Sequence, residues 1–181
     1  MEKREKRSSI IIFIFFLPFL MWALLQFITP LAAPAGSITD LSGLTGVSDN
    51  QNIIDEIPAP WNSIYNCGDR LCHQKADRSF FINGNQMPFC SRCTAIWVGL
   101  AIGLGFLIFY KIPLNTKFLF VILIGLIPIG VDGIGQLLHL WESTNIIRVI
   151  TGLLIGIVCG IAIGIIIDEI RTIPSFNKNK N

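Results

Sequence analysis

Charge is what this sequence has least of. Asp, Glu, Lys and Arg make up 14% of the 181 residues, where a soluble domain carries about 25%. The shortage is uneven: four long apolar stretches hold almost no charge, and the 14 basic and 12 acidic residues crowd between them. A soluble globular domain and a disordered chain are excluded by that distribution. A nucleic-acid binder is excluded because no clustered basic surface is present. No stretch alternates with a period of two over a strand length, which excludes a β-barrel. Internal repeats are absent, and low complexity is confined to Asn177–Asn181.

What is present is apolar, 52% of the chain. The stretches run Ile10–Ile28, Cys93–Tyr110 (with Cys90 at its mouth), Phe118–Trp141 and Ile146–Ile167. Each is near the roughly 20 residues with which an α-helix crosses a bilayer. Lipid offers no partner to backbone N–H and C=O groups, so the spans must be helices. The expected fold is all-α, an integral membrane protein with a four-helix transmembrane bundle. Its segments are a basic amino-terminal stretch at 1–9, helices at 10–28, 90–110, 118–141 and 146–167, a long connection at 31–89 and a tail at 168–181.

Basic residues orient the bundle. With Met1 inside, the inner segments hold nine Lys and Arg against four acids, and the outer ones five against eight. The positive-inside rule then puts both termini in the cytoplasm and the 31–89 connection outside, in a multi-pass cell-membrane protein. A cleavable secretory signal ending at Ala33-Pro34-Ala35 is the competing reading of the first span. Its 19 apolar residues exceed the usual 7–15, so a retained anchor is favoured. Leu31 to Asn66, with turn signals at Pro58 and Pro60, reads as a linker. Ile53, Ile54, Ile57 and Trp61 recur at helical spacing within it, as in a short interfacial helix.

Four of the five cysteines gather near the mouth of the second span: Cys67, Cys72-His73, Cys90 and Cys93. Cys159, mid-membrane beside Gly160, reads as a packing residue. Pro88 suits a helix start, so Cys90-x-x-Cys93 falls in an opening turn, where the helix dipole and Arg92 favour thiolates. Three readings follow. Cys72, Cys90 and Cys93, with His73 or Cys67, suit a metal, most naturally zinc, since a two-residue gap lets both sulfurs reach one ion. An iron–sulfur cluster also takes cysteines but is not singled out by the spacing. Alternatively, Cys90–Cys93 is a thiol–disulfide redox pair relayed by Cys67–Cys72, or the thiols form structural disulfides.

Polar residues inside the spans mark a second feature. Asp132, Gln136 and His139 share one face of the third helix, with His139 about 3 Å, Gln136 about 8 Å and Asp132 about 14 Å below its outer end at Trp141. Arg148 lies one turn into the fourth helix, after Ser143-Thr144-Asn145, and pairs naturally with Asp132. Ionisable residues inside a membrane are costly and by default functional candidates. The expected pocket is lined by Arg92, Asp132, Gln136, His139, Asn145, Arg148 and Thr151. Asp132, His139 and Arg148 are its catalytic candidates, with Asp132 or His139 as proton acceptor for hydrolysis by zinc-activated water. The sequence does not require catalysis. Gly152, Gly156, Gly160 and Gly164, spaced by four, form a ridge that another helix could pack on. Gly99 and Gly103 are one match for it; another membrane protein, with this chain as a non-catalytic subunit, is the alternative.

Two blocks of sequence carry a resemblance. Cys72-His73-Gln74, Arg78-Ser79-Phe80 and Cys90-Ser91-Arg92-Cys93-Thr94 form the first, and Asp132-Gly133-x-x-Gln136, Glu142-Ser143-Thr144-Asn145, Arg148 and Thr151-Gly152 the second. Over roughly Asn66 to Ile167 the chain resembles an uncharacterised family of small, mainly archaeal, prokaryotic membrane proteins built on a domain of unknown function. Ala95 and Trp97 stand where that family usually has Gly and Tyr. Cys67 lies outside the family's pattern, so the resemblance favours a three-cysteine site over a two-pair relay. It implies a membrane protein and supplies no activity.

Overall fold

A computed structural model describes residues 2–170, with side chains from residue 10 onward. The basic amino-terminal side chains and the tail from residue 171 lie outside the described residues. Six α-helices are formed: α1 (Glu2–Ala32), α2 (Gln51–Ile54), α3 (Trp61–Leu71), α4 (Ser91–Phe109), α5 (Thr116–Leu137) and α6 (Asn145–Ile170). A hairpin of β1 (Phe81–Ile82) and β2 (Asn85–Gln86) is the only sheet among the described residues. Four helices are long and apolar enough to cross a membrane, Ile10–Ala32 of α1 and the whole of α4, α5 and α6. The chain is an all-α membrane protein.

The spanning helices form a row, α1 against α4, α4 against α6 and α6 against α5. Glycines set the central contact. A Cβ on Gly99 would lie 2.7 Å from the Leu153 carbonyl oxygen, and one on Gly152 would lie 2.6 Å from that of Arg92. Gly156 faces Gly99, and Gly160 faces Gly103, in the same way. Without side chains between them the two backbones come close enough for dispersion to act along their length, which is what holds helices together in lipid. The ridge on α6 is therefore filled by α4. This corrects the reading of Gly152, Gly156, Gly160 and Gly164 as a docking face for another membrane protein, because the close approach leaves no room for a second occupant. Gly156→Leu should force the helices apart at the cost of overpacking, about 1–3 kcal/mol or more. Gly130→Leu, where a Cβ meets nothing within 4 Å, should leave thermal unfolding in detergent unchanged.

The long connection between α1 and α4 is folded. Ala33, Ile38, Leu41, Ile54, Ile57 and Tyr65 bury one another in a small core. Ile54 and Ile57 face this core and the helical run breaks between α2 and α3, which corrects the single interfacial helix expected there. Buried amides do the rest. Asn85 Oδ1 accepts from the Ile38 N–H at 3.0 Å, while its Nδ2 donates to the Pro30 carbonyl at 2.9 Å, tying the hairpin to the end of α1. Gln86 Oε1 accepts from the Leu41 N–H at 2.8 Å, and Tyr65 Oη donates to the Gln86 carbonyl at 2.7 Å. Asn83 and Gly84, both at positive φ (55° and 74°), supply the turn that matches strand twist in a two-residue hairpin.

Candidate functional site

Two helix ends bring the three cysteines together. Cys72 caps the C-terminus of α3, Cys90 occupies the N-cap of α4, and Cys93 lies in the first turn of α4. Gly68 lets α3 press against the chain before α4, since a Cβ there would collide with the Pro88 carbonyl. Gln74, fully buried, donates from Nε2 to the same carbonyl at 2.7 Å and fixes the approach. The Cys90 N–H then points at Cys72 Sγ, 3.3 Å away. The three sulfurs lie within 4.8 Å of one another, close enough for one metal ion. Cys67 is elsewhere on α3, beside Gln51, Ser63 and Arg70, so the structure does not place it with the other three.

Proton sharing tunes these thiols. The Cys90 thiol is drawn well below the usual thiol range, first because the Cys72 thiol and then the Cys93 thiol donate to its sulfur, with the backbone amides of Cys93 and Arg92 adding to the effect. Cys72 is pushed the other way, chiefly by the same bond to Cys90. A thiolate at a helix start beside two donors is the form that binds metals. Cys72 is buried, and Cys90 and Cys93 are half-buried.

The sulfurs form one wall of a cavity of about 160 Å³, which His73, Arg92, Gln136 and Arg148 also line. His73 is outside the sulfur cluster. Its exposed ring lies 3.3 Å from Thr45 Oγ1 and 3.4 Å from the Gly43 carbonyl, at the rim of the cavity. Arg92 and Asp132 form an ion pair, so the expected pairing of Asp132 with Arg148 is corrected. Asp132 Oδ2 also accepts from Gln136 Nε2 at 3.0 Å, and Oδ1 from Trp141 Nε1 at 3.4 Å. Asp132 thus gathers Arg92, Gln136 and Trp141 around one carboxylate. Asn145 Oδ1 accepts from Arg148 Nη1 at 3.1 Å and lies 2.9 Å from Ser91 Oγ. Thr151 turns its hydroxyl back to the Ile147 carbonyl of its own helix, at 2.9 Å, and does not line the cavity.

His139 is the clearest correction. The helix stops at Leu137, before the expected Trp141, in a closed C-terminal motif. The His139 N–H donates to the Gln136 carbonyl at 3.2 Å and the Leu140 N–H to the Gly135 carbonyl at 2.9 Å. This 5→2 and 6→1 pattern needs a residue at positive φ, and His139 takes it at 56°. Its side chain therefore leaves the face of Asp132 and Gln136 and is exposed. Trp141 folds back in its place, its ring packed on Gly135.

Residues not expected from the sequence complete the cavity. Lys75 and Arg78, on the turn after α3, line it together with Thr45. Arg78 falls in a motif already noted; Lys75 and Thr45 carry no signal, because only the folded connection brings them here.

The model of the predicted membrane protein family DUF2085 matches residues 72–165, just over half of the chain, from the first clustered cysteine nearly to the end of α6. An uncharacterized protein of Methanocaldococcus jannaschii is 44% identical over 92 residues, 48% of this chain and 56% of that protein. An uncharacterized protein of Methanothermobacter thermautotrophicus is 40% identical over 89 residues, 48% of this chain and 78% of that protein. The chain thus spans little more than half the length of the first of these relatives. No solved structure matches. The match begins at Cys72 and spans Cys90, Cys93, Asp132 and Arg148, and because it covers more than half of the chain, the chain belongs to the DUF2085 family of predicted membrane proteins.

Proposed function

We propose that this protein is a membrane metal-binding protein whose centre is formed by Cys72, Cys90 and Cys93 at the extracytoplasmic end of the helices. The observation that carries this reading is the convergence of three sulfurs from the end of α3 and the start of α4, with Cys67 left out. A relay of two pairs would need Cys67 beside Cys72; one ion needs only the three clustered sulfurs. Tetrahedral zinc with sulfur at about 2.3 Å spaces its ligands about 3.8 Å apart, within the limit that these atoms meet. Zinc is the metal favoured by thiolates in a site without evident redox partners.

With three protein ligands, a tetrahedral ion would have a fourth position to fill. His73 at the rim is the nearest imidazole for it, either as a ligand or as a group that orients one. When bound, the metal supplies Lewis acidity at that position. The chain's own residues hold the surroundings: Asp132, Gln136 and Trp141 fix Arg92, and Asn145 fixes Arg148. Neither Asp132 nor His139 is among the residues that line the cavity.

Two measurements test the reading. Metal analysis of protein purified without added chelator should find close to one zinc per chain; a metal-free, fully folded protein that takes up none would overturn it. The orientation rests on the excess of Lys and Arg in the inner segments. A membrane-impermeant thiol reagent should therefore label Cys67 in intact cells, and labelling only after lysis would place this end in the cytosol.

A further inference from the structure

One wall of the cavity is sulfur, and much of the rest is cationic. Lys75, Arg78, Arg92 and Arg148 all line it. Arg92 has Asp132, and Arg78 has the exposed carboxylate of Asp77 at 3.6 Å. Arg148 has no carboxylate partner among the described residues. It is 5% exposed, and its side chain makes one hydrogen bond, to Asn145, although a guanidinium has five N–H donors. The Nε atoms of Arg78 and Arg92 are also buried without an acceptor. Water entering the cavity would satisfy donors but not charge. Burying an unpaired cation costs several kcal/mol, and α4 and α6 both begin at this end, adding the positive ends of their dipoles. A tri-thiolate metal centre would carry one net negative charge, less than the excess that Lys75 and Arg148 present.

We propose that the cavity binds a phosphate-type oxyanion, with Arg148 as its buried anchor and Lys75 and Arg78 closing over it. Guanidinium groups from the turn after α3, from α4 and from α6 approach from different elements, a distribution suited to a tetrahedral anion with acceptors on every side. The cavity volume, about 160 Å³, is about five times the ~30 Å³ share of one liquid water. It admits a phosphoryl group and is smaller than the roughly 300–1,000 Å³ of sites for drug-sized ligands. The proposal names the ligand class of the same centre and shares with the metal reading only the sulfur wall. Its cations are in place whether or not the sulfurs hold an ion.

The test uses the full chain in uncharged maltoside micelles, titrated with inorganic phosphate, with metal content measured on the same sample. Saturable binding at one phosphate per chain is expected, weakened tenfold or more by Arg148→Gln and several-fold by Lys75→Ala, with Arg148→Lys between wild type and Arg148→Gln. Lys75 is exposed, so its variant keeps the test valid if Arg148→Gln does not fold. A second arm separates the sources of the phosphoryl group. One anionic phospholipid per chain, retained through exhaustive washing and lost in the Arg148 and Lys75 variants, would assign a lipid headgroup. Phosphate saturation of lipid-free protein would assign a soluble ion. If neither binds, or if both variants bind like wild type, the proposal fails. Phosphate bound by a folded protein that takes up no zinc would leave it standing while the metal reading fell.

Discussion

Exchanging Cys90 for serine is expected to empty the proposed metal centre, lowering the zinc expected there, about one per chain, by at least tenfold. Cys90 is the hub of the cluster: its sulfur accepts from both other thiols, and its N–H points at Cys72 Sγ. Serine keeps the helix N-cap, since its hydroxyl is a favoured capping group, but a neutral hydroxyl is a far poorer zinc ligand than a thiolate. The helix should therefore persist while the metal is lost, which circular dichroism and metal analysis separate. Cys72→Ser and Cys93→Ser should behave alike. Cys67→Ser and Cys159→Ser should retain full occupancy, and loss in either would redraw the ligand set. Uptake must displace the proton that Cys72 holds, its thiol being pushed up by the bond to Cys90, so affinity should fall as the pH is lowered. A reductant-sensitive change in labelling of Cys72, Cys90 and Cys93 without metal would instead point to disulfide chemistry.

Asp132→Ala should destabilise the protein by about 3 kcal/mol, the lower end of the range for breaking a buried ion pair. The lower end applies because Asp132 is 5% exposed at its side chain while Arg92 keeps 23%. The loss also strands donors on Gln136 and Trp141, which bridge the end of α5 to the pair. Since α5 packs mainly on α6, this polar knot is what ties its end to α4. Thermal unfolding in detergent should shift down by on the order of 10 °C. Asp132→Asn should cost less, since the amide oxygen still accepts. Pairing Asp132→Leu with Arg92→Met should recover much of the stability, as apolar replacements of buried pairs often do. An Asp132→Ala protein as stable as wild type would show that the pair contributes nothing.

The sequence could carry the spans because lipid imposes one rule on every residue in them. Backbone groups must pair within their own segment, so a run of about 20 apolar residues is enough to specify a helix. The same local character made the four-residue spacing of Gly152 to Gly164 legible, and with Gly99 and Gly103 its α4 match. The three cysteines could be grouped because two of them share one helix turn. His139 was misplaced for an equally local reason. A helical wheel assumes that the helix continues, and the hydrogen bonds that close it after Leu137 leave no apolar break in Leu137, Leu138 and Leu140.

Composition and spacing by themselves determined that this is a four-span membrane protein with thiols and polar side chains near one end. Only the tertiary structure decided which of them meet. The 31–89 connection is held by buried amides, Gln74, Asn85 and Gln86, that bond to backbone groups distant in sequence, and such contacts leave no periodicity to read. That connection carries Cys72 to Cys90, leaves Cys67 aside, and brings Lys75 and Arg78 over the cavity. Asp132 pairs with Arg92 and leaves Arg148 without a carboxylate partner among the described residues, a relation between helices that no single segment encodes.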